Sequence, residues 1–323
     1  MREGYIHMSQ QKPKILRDFL IYLTAIKGKS KRTRDEYEYD LTLFLKFLLA
    51  VEQQLELEKI EEIEISQLDV TFFKTIALED MYLFLEYCEE NRHNSASTRA
   101  RKVATLKSFF KYLKSKRHLI EENPAEDLET PKISKRQPIY LSFEEAKVFL
   151  KGIQSKTHHY RDYCMMMFFL NLGIRVSELC HLNLDSIQEN FLTVTGKGDK
   201  ERTVYLNNAC TSALANYLTH ERSHIKEADQ NPALFLSQKG TRLTRQRVAK
   251  IVKQINCTSG LNKKKLTPHK LRHTSATMMY KSGADIRSLQ QILGHSNVST
   301  TQIYTHVEDK EIQQVIENNP FNI

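Results

Sequence analysis

Long apolar runs are missing from this chain. The longest, Cys164 to Leu170, is far shorter than the roughly 20 residues that cross a bilayer, so it reads as a buried helix. A secretory leader is missing too, because MREGYIHMSQQKPK is polar and has neither an apolar core nor a small-residue cleavage site. Export is not expected, and Met8 is an alternative start because the first periodic apolar segment begins at Ile15. Cysteines are few. Cys88, Cys164, Cys180, Cys210 and Cys257 form no CxxC pair and are odd in number, which argues against a disulfide framework or a zinc cage and fits a reducing cytosol. No internal repeat and no low-complexity tract occurs. An HExxH motif is absent as well, so the i, i+4 pair His269 and His273, with Arg272 between them, is not expected to hold zinc. His273 reads as a packing residue, and no metal or cofactor is expected.

What remains is an ordinary globular composition with a basic excess. The 323 residues are 40% hydrophobic and 27% charged, enough for two domains that each bury a core. A net charge of +9 and a pI near 9.1 favour a polyanionic partner, since Lys and Arg that neutralise phosphates release condensed counterions.

From Ile15 to about Glu126 apolar residues recur at three and four positions, as in Leu16, Phe19, Leu20 and Leu23. A second helix follows the basic loop KGKSKRTR, capped by Ser30 or Thr33, with Tyr37, Leu41, Phe44, Leu45 and Leu48 as its stripe. A third runs near Leu78 to Tyr87. The fourth, about Ser97 to Lys114, turns Val103, Leu106, Phe109, Phe110 and Leu113 inward and Arg99, Arg101, Lys102, Lys107 and Lys111 largely outward. With the basic residues Lys29, Lys31, Arg32 and Arg34 of the loop, Arg99, Arg101, Lys102 and Lys107 are candidate DNA contacts. The acidic stretch Leu55 to Glu64 is expected to be a solvent-facing connection.

Between Asn123 and Pro138, three prolines and no sustained periodicity mark a linker. The division expected is a helical domain over 10–127, a linker over 128–140 and a second domain over 141–323. The second domain opens with a capping box, Ser142 and Glu145, on a helix from Phe143 to Ile153. Helices follow at Tyr160 to Leu172 and from Val176. Phe191 to Val194 and Arg202 to Leu206 form a hairpin around GKGDKE. Further helices are expected near Asn208 to Lys226, Thr244 to Gln254, His269 to Ser282, Ile286 to Leu293 and Ser299 to Tyr304. The fold class is mainly α with a small β hairpin or sheet.

The residues with chemistry gather from HKLRH at His269 to TQIYTH at Tyr304. Attack on a phosphodiester requires charge neutralisation on the nonbridging oxygens, an aligned nucleophile and a proton for the alkoxide leaving group. Arg175 in LGIRVSEL and Arg272 suit the first task, because guanidinium forks bind phosphate oxygens bidentately. His269 and Arg272, at i and i+3, share one helix face. His295, after a helix-ending glycine, can donate to a phosphate oxygen or help position the leaving group. Tyr304 is the candidate nucleophile; its free pKa of about 10 calls for a base, and His269 is placed for that. Lys197, on the hairpin turn, is the candidate general acid. Taken singly these residues say little: of 14 tyrosines, most pack.

In order and context, they resemble the tyrosine recombinase family, most closely its Xer branch. Six family positions are matched in sequence by Arg175, Lys197, His269, Arg272, His295 and Tyr304, and TGKGDKERTV, HKLRHTSAT, SGADI and LGHSNVSTTQIYTH match around them. The match is specific over Leu141 to Val307 and looser before it. It implies an N-terminal helical core-binding, SAM-like domain and a C-terminal α/β catalytic domain that together form a C-shaped clamp on DNA. Tyr304 would form a 3′-phosphotyrosyl intermediate without ATP or metal, and Glu178 would orient Arg175.

Implied partners are double-stranded DNA, a homo- or hetero-tetramer in the synaptic complex, and further a second recombinase or a DNA translocase; no membrane is involved. The implied role is dimer resolution at a dif-like site in chromosome partition. An integrase of a mobile element, a type IB topoisomerase and a non-catalytic DNA-binding protein are the alternatives. Val51 to Thr75 is longer than expected for a Xer protein. Ile312, Val315 and Ile316 give the C-terminal segment a short stripe that would dock on a neighbouring protomer, as in similar recombinases, or on its own domain.

Overall fold

The computed structural model describes residues 12–133, 139–155, 157–196, 200–226, 228–261 and 266–294. The chain divides into two compact units, Met1–Arg136 and Gln137–Ile323, each with its own apolar core. Both are mostly helical, and the second adds a small antiparallel sheet. The expected class, mainly α with a small sheet, is what the chain adopts.

In the first unit, α1 (Lys14–Ile21) runs into a π-helical turn at Tyr22–Ile26. Then come α2 (Lys31–Glu52), α3 (Val70–Thr75), α4 (Leu78–Glu90) and α5 (Ala96–Ser115). Ser30 caps α2 through the Thr33 amide, so Lys31, Arg32 and Arg34 lie in the first turns of a helix and not in a loop. Aromatic side chains interlock the helices: Phe19 meets Phe109 edge-on at 5.1 Å, and Phe44 meets Phe84 at 5.1 Å.

Two expectations are corrected in this unit. The acidic stretch is not simply a solvent-facing connection. Ile60 and Ile65 are buried on either side of its glutamates, a 3₁₀ turn forms at Leu57–Glu62, and Phe73 of α3 enters the same core. The linker also begins later than residue 128, because Ala125 and Leu128 are fully buried in the first core.

The second unit opens with α6 (Phe143–Lys151), whose Ser142 and Glu145 form the expected reciprocal box. At its centre is α7 (His159–Leu172), buried on nearly every face, which is why its apolar residues show no stripe. After α8 (Val176–His181) the sheet has three strands, β1 (Ile187–Gln188), β2 (Phe191–Thr195) and β3 (Glu201–Tyr205), in the order β1-β2-β3. β1 is too short to carry a periodic signal in the sequence. Val194 faces Arg202 across β2 and β3, and Leu192 faces Val204. The side chains of this inward face include three apolar residues and one arginine.

The unit continues with α9 (Asn208–His220), α10 (Arg245–Thr258), α11 (Pro268–Lys281) and α12 (Ile286–Leu293). α9 ends six residues before the expected Lys226. Glu221 and Arg222 turn inward there: Glu221 pairs with His158 at 2.9 Å, and Arg222 donates to the carbonyls of Leu234, Ala228, Asn231 and Ala233. α11 packs on α7 and α12 packs on α11, which brings the C-terminal end of α12 against the start of α8.

Candidate active site

The site is built where α7 ends. Gly173 adopts φ +58° at the C-cap of α7, and a side chain there would collide with Leu293 at 2.7 Å. Two residues later Arg175 is the N-cap of α8. Its backbone N–H donates to Glu178 Oε2 at 2.8 Å, so the glutamate three residues on closes the first turn. Spacing alone therefore brings Arg175 and Glu178 together.

Glu178 is buried, at 3% exposure, and three arginines converge on it. Arg175 Nη1 donates to Oε1 at 2.6 Å; Arg202 Nη1 and Nη2 donate to Oε1 and Oε2 at 3.0 and 2.8 Å; Arg272 Nη1 lies 4.0 Å from Oε2. Each of the three also reaches the end of α12. Arg202 Nε donates to the Ile292 carbonyl at 2.9 Å, Arg272 Nη2 to Leu293 at 2.6 Å and Arg175 Nη2 to Gly294 at 3.2 Å. Arg272 Nη1 also takes the Gly173 carbonyl at 2.6 Å. Arg272 is buried, whereas the Arg175 side chain keeps 37% of its surface exposed and is the arginine more open to a ligand.

The electrostatics follow from this crowding. Burial pushes the Glu178 carboxyl up, but hydrogen bonds from Arg202 and the Arg175 backbone, with the Arg202 charge, outweigh it and hold it at about 2. His269 lies in the first turn of α11, three residues before Arg272. Burial of its ring, then the charges of Arg272, Lys270 and Arg175, lower its pKa below the ordinary value, which keeps the imidazole neutral at pH 7 and able to take a proton. His273 is buried, 6.4 Å from the Tyr140 ring, and lowered to about 4 by burial, Lys270 and His269.

Four of the residues singled out in the sequence, Arg175, Glu178, His269 and Arg272, thus come together. Lys197, His295 and Tyr304 lie outside the described residues, as does the stripe of Ile312, Val315 and Ile316. Arg202 was missed. Its signal was available: with Val204 it occupies the inward positions of a period-2 strand, and a charged residue at an inward position requires a buried counterion.

The basic residues of the first unit divide. Lys29 and Lys31 are exposed; Arg32 is exposed and pairs with Glu36 at 3.0 Å. Arg34 lies 3.6 Å from Glu38. Arg99 is largely buried against Glu89 at 2.5 Å, and Lys107 donates to the Glu126 carbonyl at 3.0 Å. Lys102 does not point outward. It leads the stripe continued by Leu106, Phe109 and Leu113, is 1% exposed, and pairs with the buried Asp40 of α2 at 2.9 Å. Arg101 takes the other Asp40 oxygen. Both side chains are therefore committed to joining α5 to α2.

Residues 140–311 match the family described as Phage integrase family, and residues 16–117 the one described as Phage integrase, N-terminal SAM-like domain. The tyrosine recombinase XerC of Caldanaerobacter subterraneus subsp. tengcongensis is 44% identical over 313 residues, 96% of this chain and 88% of that protein. The chain belongs to the tyrosine recombinase family. Its activity is site-specific recombination. The tyrosine recombinase XerD of Listeria monocytogenes serotype 4b is 34% identical, covering 93% of this chain and 96% of that one.

Among solved structures, XerH bound to its difH substrate superposes with a TM-score of 0.64 at 23% identity, covering 95% of this chain and 96% of that chain. The Tn1549 transposon integrase with transposon right end DNA gives 0.71 at 19%, covering 94% and 98%. These two likenesses establish the recombinase fold. Among the described residues no helix is long and apolar enough to cross a membrane.

Proposed function

We propose that this recombinase acts in the cytoplasm on duplex DNA, resolving chromosome or plasmid dimers at a dif-like site as a tetramer of its own chain or with a second recombinase. The similarity to XerC and XerD supports this role over transfer of a mobile element. One observation carries the chemistry: Arg175 and Arg272 meet on one buried carboxylate beside a histidine held neutral. A rigid cationic pair with a base alongside suits in-line attack on a phosphodiester.

In the reaction, Arg175 and Arg272 bind the nonbridging oxygens of the scissile phosphate. The Tyr304 oxygen forms a bond to phosphorus as the bond to the 5′ oxygen breaks. His269 takes the phenol proton, Lys197 gives a proton to the departing 5′ oxygen, and His295 donates to the phosphoryl group. The 3′-phosphotyrosyl link conserves the bond energy, so attack by a 5′ hydroxyl of the partner strand reverses every step and rejoins the DNA. Glu178 orients Arg175 and takes no part in proton transfer. Lys29, Lys31 and Arg32 are the proposed phosphate contacts of the first unit.

The test is covalent trapping on a nicked suicide substrate. The parent chain should accumulate a protein–DNA adduct, and Tyr304→Phe should bind the DNA equally well and form none. An adduct in Tyr304→Phe would remove Tyr304 from the mechanism. Relaxation of a supercoiled plasmid lacking any recombination site would point to a topoisomerase instead.

A further inference from the structure

Arg202 lies outside the six active-site positions, yet it joins three elements. From β3 it donates to both oxygens of Glu178 on α8 and to the Ile292 carbonyl near the end of α12. Its guanidinium also packs on Gly294: a side chain added there would meet Arg202 atoms at 3.0 to 3.3 Å. The last carbonyls of a helix have no partners within it and carry partial negative charge, so guanidinium donors are favourable there. Here three successive carbonyls, Ile292, Leu293 and Gly294, accept from three different arginines.

Among the contacts described, Glu178 receives five N–H groups or charges from these arginines, and Arg202 is the one whose guanidinium spans both oxygens, whereas Arg175 reaches the second oxygen through its backbone N–H. Three guanidiniums around one carboxylate leave a surplus of two positive charges. Without Arg202 the surplus is one, and the carboxylate is left to Arg175 and Arg272.

We infer that Arg202 is a positioning residue for the phosphate clamp: it occupies Glu178 and the end of α12, and so leaves Arg175 and Arg272 directed and charged toward the scissile phosphate. Arg202 keeps only 13% of its side chain exposed and is placed to act through Glu178 and the end of α12. This rests on the clamp role of Arg175 and Arg272 given above. It adds a residue that acts through them.

The test compares cleavage of two suicide substrates, one with an ordinary scissile phosphate and one with a neutral methylphosphonate at that position. Each variant's rate is taken as a ratio to the parent on the same substrate. Arg175→Ala and Arg202→Ala should both be slowed strongly on the phosphate, for Arg202→Ala by about 100-fold, the cost of misplacing a reacting group by an ångström. Both defects should shrink markedly on the methylphosphonate, where there is less charge to neutralise, and DNA binding should be retained.

Arg202→Lys, which keeps the charge but not the three-way fork, should be intermediate on the phosphate. It carries the same comparison if Arg202→Ala folds poorly. A role confined to stability gives Arg202 variants equal defects on both substrates while Arg175→Ala is still rescued, and that result overturns the inference alone. Failure of Arg175→Ala to be rescued overturns the clamp reading beneath it.

Discussion

Replacing Glu178 by glutamine tests the arginine cluster most directly. The carboxylate is 3% exposed and held at about 2, against an ordinary value of 4.5. That displacement makes the ionised form worth about 3.5 kcal/mol to the folded state at neutral pH, at roughly 1.4 kcal/mol per unit. Glutamine removes the charge and turns an NH₂ toward at least one of the donors now satisfied by Oε1 and Oε2, so the loss at pH 7 should be about 3.5 kcal/mol. The pH dependence has a definite sign. Because the folded pKa is depressed, the stabilisation is complete above the unfolded value of 4.5 and is lost as pH falls toward 2. The difference between parent and Glu178→Gln should therefore narrow steadily below pH 5. Urea unfolding followed by far-UV circular dichroism measures it, since the chain has no tryptophan to report by fluorescence. A difference below 1 kcal/mol at pH 7, or one that does not change between pH 6 and 3, would refute the reasoning.

Four other outcomes follow from the same contacts. Gly294→Ala places a side chain at φ +63° and against Arg202, so it should lower stability by about 1–2 kcal/mol and slow cleavage; unchanged unfolding would contradict the close packing. Lys102→Ala removes one of the two cations on the buried Asp40, leaving it Arg101 and the Thr105 hydroxyl, and should destabilise the chain by about 1.5–3 kcal/mol; a loss below 0.5 kcal/mol in the same denaturation assay would contradict the buried pair. With the His269 pKa lowered from its ordinary value by burial and the charges of Arg272, Lys270 and Arg175, and with the ring acting as a neutral base, the acid limb of single-turnover cleavage should lie below that of an unperturbed histidine; an acid limb displaced upward instead would contradict the assignment. Lys29→Ala with Lys31→Ala should weaken binding to all DNA sequences alike and reduce the slope of log affinity against log salt by about 2, as read by titration at several salt concentrations.

The sequence carried the helices and the two pairs Arg175–Glu178 and His269–Arg272 because these are local. Apolar spacing placed α4 and α5 within a few residues, and the triplet spacings Arg175 to Glu178 and His269 to Arg272 place each pair on adjoining turns of one helix. What it did not carry depends on contacts distant in sequence. Lys102 looks like one more cation on a basic helix until Asp40, 62 residues earlier, accounts for its burial. The acidic segment before α3 looks like a solvated connection because its glutamates outnumber Ile60 and Ile65, yet those two isoleucines fix it to the core. α9 stops at His220 because Glu221 and Arg222 find partners inside, which no local propensity encodes.

Arg202 is the most instructive of these omissions. A guanidinium on the inward face of a strand is costly unless a carboxylate neutralises it, and Glu178 does so while also facing Arg175 and Arg272. The same carboxylate, with about four acceptor sites, cannot satisfy all the donors of three guanidiniums. The carbonyls of Ile292, Leu293 and Gly294 supply the remaining acceptors, and they are available only because α12 ends at that point. Termination of α12 at a glycine in the left-handed region is thus part of how the site is held together. A lengthening of α12 by one turn would consume Ile292 and Leu293 as helical acceptors, leaving Arg202 with Glu178 alone and Arg272 with Glu178 and the Gly173 carbonyl.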